Sequence, residues 1–251
     1  MLRYIILILL LYSCQAPVPR PKASKIVEAQ PDLYRFLKQH AAALDSASKI
    51  DSDTLDSLNE RLKQTIERHK AEFLSLKDTT LFDFLNVLVS SNRKLCLISW
   101  DTRMGGTMID FTTTVIYTKA DGSLIAKVLL DTTAEDTDNT PMYYDQLYSI
   151  PGKNGMNYVA VGNGQGSTAL PYGEVRALRI NKDQLLDAPL FPGRKSFVFV
   201  EFDTHHLRGD IPSISVSDSG RRIAIPVSDG DEGFANRYET LVYKNGVYSR
   251  K

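Results

Sequence analysis

The segment KSFVFVEFDTHHLRGD, residues 195–210, holds the densest set of groups able to move protons or bind a cation. Run as a β-strand, it places Phe197, Phe199, Glu201, Asp203 and His205 on one face. Two carboxylates and an imidazole in a row suit general acid–base work or a divalent cation. Glu201, Asp203 and His205 are therefore the candidate catalytic residues of a hydrolase. The competing reading is a solvated strand end. No H-E-x-x-H and no G-x-S-x-G stands elsewhere to complete a catalytic set.

A second set is aromatic. Tyr143, Tyr144, Tyr148, Tyr158 and Tyr172 crowd around the run Gly162-Asn163-Gly164-Gln165-Gly166-Ser167. Flat rings with a polar tip, beside a flexible polar loop, suit a glycan or peptide. They equally suit cross-strand pairs within a sheet. The expected ligand-binding residues are Tyr143, Tyr144, Tyr158 and Tyr172, with Trp100, whose Trp-Asp-x-Arg context suits a pocket wall. The glycine run is expected to be a mobile loop. A phosphate cradle would need a following helix, but Pro171, Gly173 and another apolar stretch follow instead.

Other polar groups carry less. Asp229, Asp231 and Glu232 offer hard oxygens for Ca²⁺ without completing the EF-hand spacing. They read as a solvated loop, as do Asp131, Glu135, Asp136 and Asp138. Arg208-Gly209-Asp210 precedes Ile211-Pro212 and reads as a turn. His40 and His69 lie on helical stripes with no carboxylate or cysteine at ligand spacing. No metal and no cofactor is expected.

Composition narrows the classes. The 251 residues hold 30 Lys+Arg and 30 Asp+Glu, a zero formal net charge. That balance argues against a nucleic-acid partner, which selects for a basic excess. A hydrophobic share of 43% with 24% charged residues is that of a folded chain, not a disordered one. Two cysteines exclude a disulfide-dense scaffold. Cys96 sits in the apolar run LCLIS and reads as core.

The N-terminus gives an address. Residues 1–14 are MLRYIILILLLYSC: one Arg, then a short unbroken apolar run. A bilayer-spanning helix needs about twenty apolar residues, so the run fits a secretory signal. Leu11-Tyr12-Ser13-Cys14 resembles the lipobox of bacterial lipoproteins. The resemblance implies a signal peptide over 1–13, cleavage before Cys14 and acylation of that cysteine, with palmitate among the expected chains. Residues 14–30, with Pro17, Pro19 and Pro21, read as an extended lipidated tether. Gln15 after the cysteine, by resemblance to envelope sorting rules, implies the outer membrane, facing the periplasm.

The remaining chain has two textures. Residues 31–94 read as a helical segment. Leu33, Phe36, Leu37, Ala41 and Leu44 recur at three and four. After a polar break, Leu55, Leu58, Leu62, Ile66, His69 and Phe73 form a second stripe. LFDFLNVLV, residues 81–89, suits a short helix or an apolar strand. Residues 95–251 read as an antiparallel β domain with ten candidate strands, rich in Val, Ile, Thr, Tyr and Phe and separated by Gly, Pro and Asn turns. The fold class is α+β, the β part a sandwich or a partial, propeller-like stack. Val216-Ser217-Asp218-Ser219-Gly220-Arg221-Arg222 resembles the hairpin of propeller blades in periplasmic translocation proteins. Val89-Ser90-Ser91-Asn92-Arg93-Lys94 echoes it. About 40 residues per blade leaves room for three or four blades. The reading is a lipid-anchored, non-enzymatic binding or accessory module, its partners membrane lipid through Cys14 and an envelope protein or glycan.

Overall fold

The computed structural model describes residues 31–47, 51–76, 85–106, 108–129, 142–167, 169–205, 211–228 and 234–251. The signal peptide, Cys14 and the tether lie outside the described residues. So do Arg208-Gly209-Asp210 and the acidic residues at 131–138 and 229–232.

Three helices open the described chain. Helix α1, Pro31–Ala47, buries Leu33, Leu37 and Leu44, the positions its periodicity selects. Helix α2, Ser52–Arg68, starts at Asp51. The Asp51 carboxylate accepts the Asp53 N–H at 3.2 Å and the Thr54 hydroxyl at 2.9 Å, satisfying donors that a helix start leaves open. Helix α3, Lys70–Ser75, follows a break at His69 (φ −108°, ψ 27°). The stripe from Leu55 to Phe73 thus spans two helices. The break lets Phe73 and Leu74 of α3 reach the sheet below.

Three antiparallel sheets follow in chain order. The first is a meander of β1 Leu85–Val89, β2 Leu95–Asp101, β3 Phe111–Thr118 and β4 Leu124–Val128. The second joins β5 Tyr143–Gly152, β6 Gly155–Ser167, β7 Leu170–Asn181 and β8 Gln184–Asp187. Strand β9, Phe197–Glu201, pairs with the N-terminal half of β7, so β8 and β9 share one edge. The third is β10 Ser215–Ser217, β11 Arg222–Ser228, β12 Phe234–Lys244 and β13 Val247–Arg250.

The sheets stack through three cores. Cys96, Ile98, Trp100 and Ile116 face the helices. Leu95, Leu97, Val115 and Tyr117, on the other side of the same strands, meet Tyr144, Tyr158, Tyr172 and Leu178 of the second sheet. Val159, Val161, Val175 and Ala177 then meet Ile223, Ile225, Leu241 and Tyr243 of the third. Strand β2 reads as a near-continuous apolar run because both its faces are buried.

The α+β class and the mostly antiparallel β region stand as read from the sequence. All ten candidate strands are present, β8 and β13 are added, and of the two readings of LFDFLNVLV the strand is found, as β1 over Leu85–Val89. Strand β1 falls inside the segment expected to be helical, since Leu85–Val89 pairs with Cys96–Trp100. The two echoing turns occupy the same place: each joins the first two strands of its sheet. Arg93 (φ 55°) and Gly220 (φ 91°) hold matching left-handed positions in them. Among the described residues no helix is long and apolar enough to cross a membrane.

Candidate functional site

The alternation expected through His205 stops at Glu201. Phe202 turns inward, and its N–H bonds the Pro171 carbonyl at 2.8 Å. Asp203 then folds back: its Oδ1 accepts the N–H of His205 at 2.9 Å, the local turn that aspartate favours. Glu201, Asp203 and His205 are all exposed, at and beyond the end of β9 rather than in a row on one strand face. Among the described residues no three His, Cys, Asp or Glu gather as a metal set.

The aromatic candidates fill the interior. Trp100 is 0% exposed, and its Nε1 donates to Asn59 Oδ1 at 2.9 Å. Asn59 Nδ2 donates in turn to the Thr102 carbonyl at 2.9 Å. Arg103 pairs with Asp101 and with Asp45 of α1, each at 3.1 Å. The Trp-Asp-x-Arg stretch is thus the clamp between the first sheet and the helices. Tyr158 is buried, with its hydroxyl on Asn92. Tyr143 is half-buried against the ring of Phe111, 5.4 Å away.

The glycine run is strand, not mobile loop, paired along β7. A Cβ on Gly164 would lie 2.0 Å from the ring of Tyr172, and one on Gly162 would lie 2.9 Å from that of Tyr144. The glycines and tyrosines are one device: flat rings lie where the strand has no side chain. Burial pushes the Tyr172 hydroxyl up to about 12. It raises Tyr144 well above the ordinary tyrosine value, helped by the neighbouring Glu174 charge. Both stay protonated.

Sequence reading missed what these rings surround. The Tyr144 hydroxyl donates to Glu174 Oε1 at 2.7 Å. Arg176 Nε donates to the same oxygen at 2.9 Å, and its Nη1 reaches Asp187 at 3.5 Å. Its guanidinium also stands 5.4 Å from the ring centre of Phe197. Burial opposes the Arg176 charge, but Tyr144, Glu174 and Asp187 outweigh it and hold the guanidinium ionised. The signal was present in Glu174-Val175-Arg176-Ala177-Leu178. Alternating charges in an otherwise apolar strand need partners when the strand is central. Cys96 faces the helices, and burial pushes its thiol up, away from nucleophilic use.

One accessible surface is the outward side of the third sheet. The register puts Ser217, Arg222, Ala224, Pro226, Tyr238, Thr240, Val242, Lys244, Val247 and Ser249 opposite its core face; of these Pro226 is buried and Ala224, Thr240 and Val242 are half-buried. Tyr238 is 43% and Val247 46% exposed. None of these residues belongs to a core cluster, and no carboxylate stands among them. Fold and surfaces thus define an α+β protein built from three stacked meanders, with helices over the first. No family model, curated protein or solved structure matches the chain.

Proposed function

We propose that the protein is a lipid-anchored envelope lipoprotein that acts as a non-enzymatic binding or accessory module. Leu11-Tyr12-Ser13-Cys14 supports acylation at Cys14, and Gln15 supports outer-membrane sorting with the folded part in the periplasm. Each buried acyl methylene contributes about 0.8 kcal/mol, so several chains anchor durably.

The observation that carries the binding role is the outer face of the third sheet, over which no described helix or sheet packs and where Tyr238 and Val247 are exposed. The equivalent face of the first sheet lies under three helices. That face offers exposed Tyr238 and Val247 with half-buried Val242, and its charges among the described residues are Arg222 and Lys244. Its occupant is a protein with a flat, acidic surface, since opposite charge steers and orients docking. Hydrolysis by Glu201, Asp203 and His205 has less support, because those groups stand exposed at a strand end. Sugar binding by Trp100 and the tyrosines has less support too, because most of those rings are buried.

The test is gentle detergent extraction of the full chain from its native envelope, followed by sizing. The wild type is expected to elute with one stoichiometric acidic partner. Tyr238→Asp with Val247→Asp should weaken that complex tenfold or more, and Cys14→Ala should leave the chain in the soluble fraction. A wild type that elutes alone overturns the accessory role. A complex indifferent to the face variant overturns the surface.

A further inference from the structure

We propose that the free edge of β4, with the groove between it and α2, binds an extended peptide segment as a fifth strand of the first sheet. The surface lies at the opposite end of the stack from the third-sheet face, and either assignment stands if the other fails.

Strand β4 is the last in its sheet, and among the described residues no strand pairs beyond it. Its hydrogen bonding is phased. The Leu129 N–H bonds the Thr113 carbonyl at 2.8 Å, and the Lys119 N–H bonds the Ser123 carbonyl at 2.9 Å. The pairs Val115↔Lys127 and Tyr117↔Ile125 fall in the same phase, because antiparallel ladders alternate. The N–H and C=O groups of Leu124, Ala126 and Val128 therefore point away from the sheet. An incoming strand finds three residues of open edge, the recognition mode of strand addition.

The same three residues send their side chains to the helix side. Leu124 and Ala126 pack on the helical core, and Val128 is 37% exposed. Between this edge and α2 lies a groove of about 470 Å³, lined by Gln64, Glu67, Thr114, Ala126 and Val128. Ala126 and Val128 are the apolar side chains of its wall, set among polar and charged ones of α2. Thr114 is 4% exposed, and its Oγ1 is buried with no hydrogen-bond partner. A buried hydroxyl left unsatisfied costs free energy that a ligand group recovers. Edge and groove are in phase: alternate side chains of an added strand fall on the groove side.

Charge selects the peptide. Glu60 pairs with Lys63, and Glu67 with Lys70. Arg68 and Lys127 stand on the rim with no ion-pair partner among the described residues. The occupant is an extended segment of another protein, with apolar side chains at alternate positions and at least one carboxylate. Lys127 disfavours a second copy of this edge, as edge lysines do.

The probe is a library of random nine-residue peptides, panned on the full chain in detergent, with the best sequences resynthesised and titrated. Enriched peptides should alternate apolar and polar residues and carry a carboxylate. Bound peptide should slow amide exchange at Leu124, Ala126 and Val128. Ala126→Pro deletes one outward N–H while leaving the ladder to β3 intact, and should weaken binding tenfold or more. Should that variant unfold, Gln64→Trp blocks the groove from the helix side and must produce the same loss. Absence of any enriched peptide overturns the proposal. So does binding indifferent to both variants, or protection that maps to another strand.

Discussion

The first and third sheets are the same meander with opposite fates. Both have four antiparallel strands, and both open with a hairpin that bends at a left-handed residue. Each buries one face against the second sheet. The outer face of the first holds Cys96, Ile98, Trp100 and Ile116, all at 0% exposure beneath helices. The outer face of the third holds Arg222, Thr240, Lys244 and Ser249 around Tyr238 and Val247. Strand number and register alone do not decide what a sheet face does. The residues on its second side decide whether it takes a permanent cover or meets solvent and partners.

The comparison breaks most sharply at Trp100. Trp100→Ala should cost about 3–5 kcal/mol, since it empties a fully buried site and strands Asn59 Oδ1. In a domain of this size that lowers Tm by roughly 10 °C, read by circular dichroism. A shift of a degree or two would sink the view of this face as a covered core.

The core shared by the first two sheets is held by charge as well as packing. Arg176→Met leaves the Glu174 carboxylate buried without its guanidinium, at a cost of about 3–5 kcal/mol by urea unfolding. Glu174→Leu with Arg176→Met should recover most of that loss, because no uncompensated charge then remains. A double variant as unstable as the single one would show that packing, not charge, sets the cost.

The helical cover should respond to acid. Burial, aided by the charge of Arg61, lowers His40 to about 4 in the folded chain, against an ordinary 6.5. Between those values the unfolded chain binds more protons, so stability rises with pH through that window. It is complete above pH 6.5 and falls as pH drops towards 4, by up to about 3 kcal/mol. His40→Phe should flatten the slope between pH 6.5 and 4 in chemical unfolding. An unchanged slope would assign the acid sensitivity to other groups.

The smallest effect belongs to the bare face. Tyr238→Ala and Val247→Ala should each shift stability by no more than about 0.5 kcal/mol, as surface changes do. A loss of several kcal/mol in the isolated chain would mean that the face is already covered.

Much of this arrangement is written in local pattern. The spacing of Leu33, Leu37 and Leu44 marks α1, and ten strands announce themselves by Val, Ile, Thr and aromatic content. The four-residue strands β8, QLLD, and β13, VYSR, escape notice, because neither carries a run of β-branched residues to mark it. The break at His69 also escapes, because the apolar stripe runs through it unaltered. The candidate residues fared differently from the elements. Glu201, Asp203 and His205 share a spacing but not a strand, because the turn at Asp203 ends the alternation. Trp100 and the tyrosines look like a ligand surface by type. Their burial depends on distant chain segments closing over them, as Asn59, 41 residues away, does over Trp100, and Asn92, 66 residues away, over Tyr158.

The sequence by itself determined the α+β class, helices α1 and α2, most strands, the neutral charge balance and the lipobox-like cysteine pattern. These depend on neighbours within a few residues, or on composition, and physical chemistry acts on both locally. The tertiary structure alone decided which sheet face is covered, which tyrosines line a core, and which buried carboxylate meets Arg176. It also decided that β4 keeps an open edge beside a groove. Each of those depends on contacts between segments far apart in the chain, and no local pattern encodes which distant side chain will arrive.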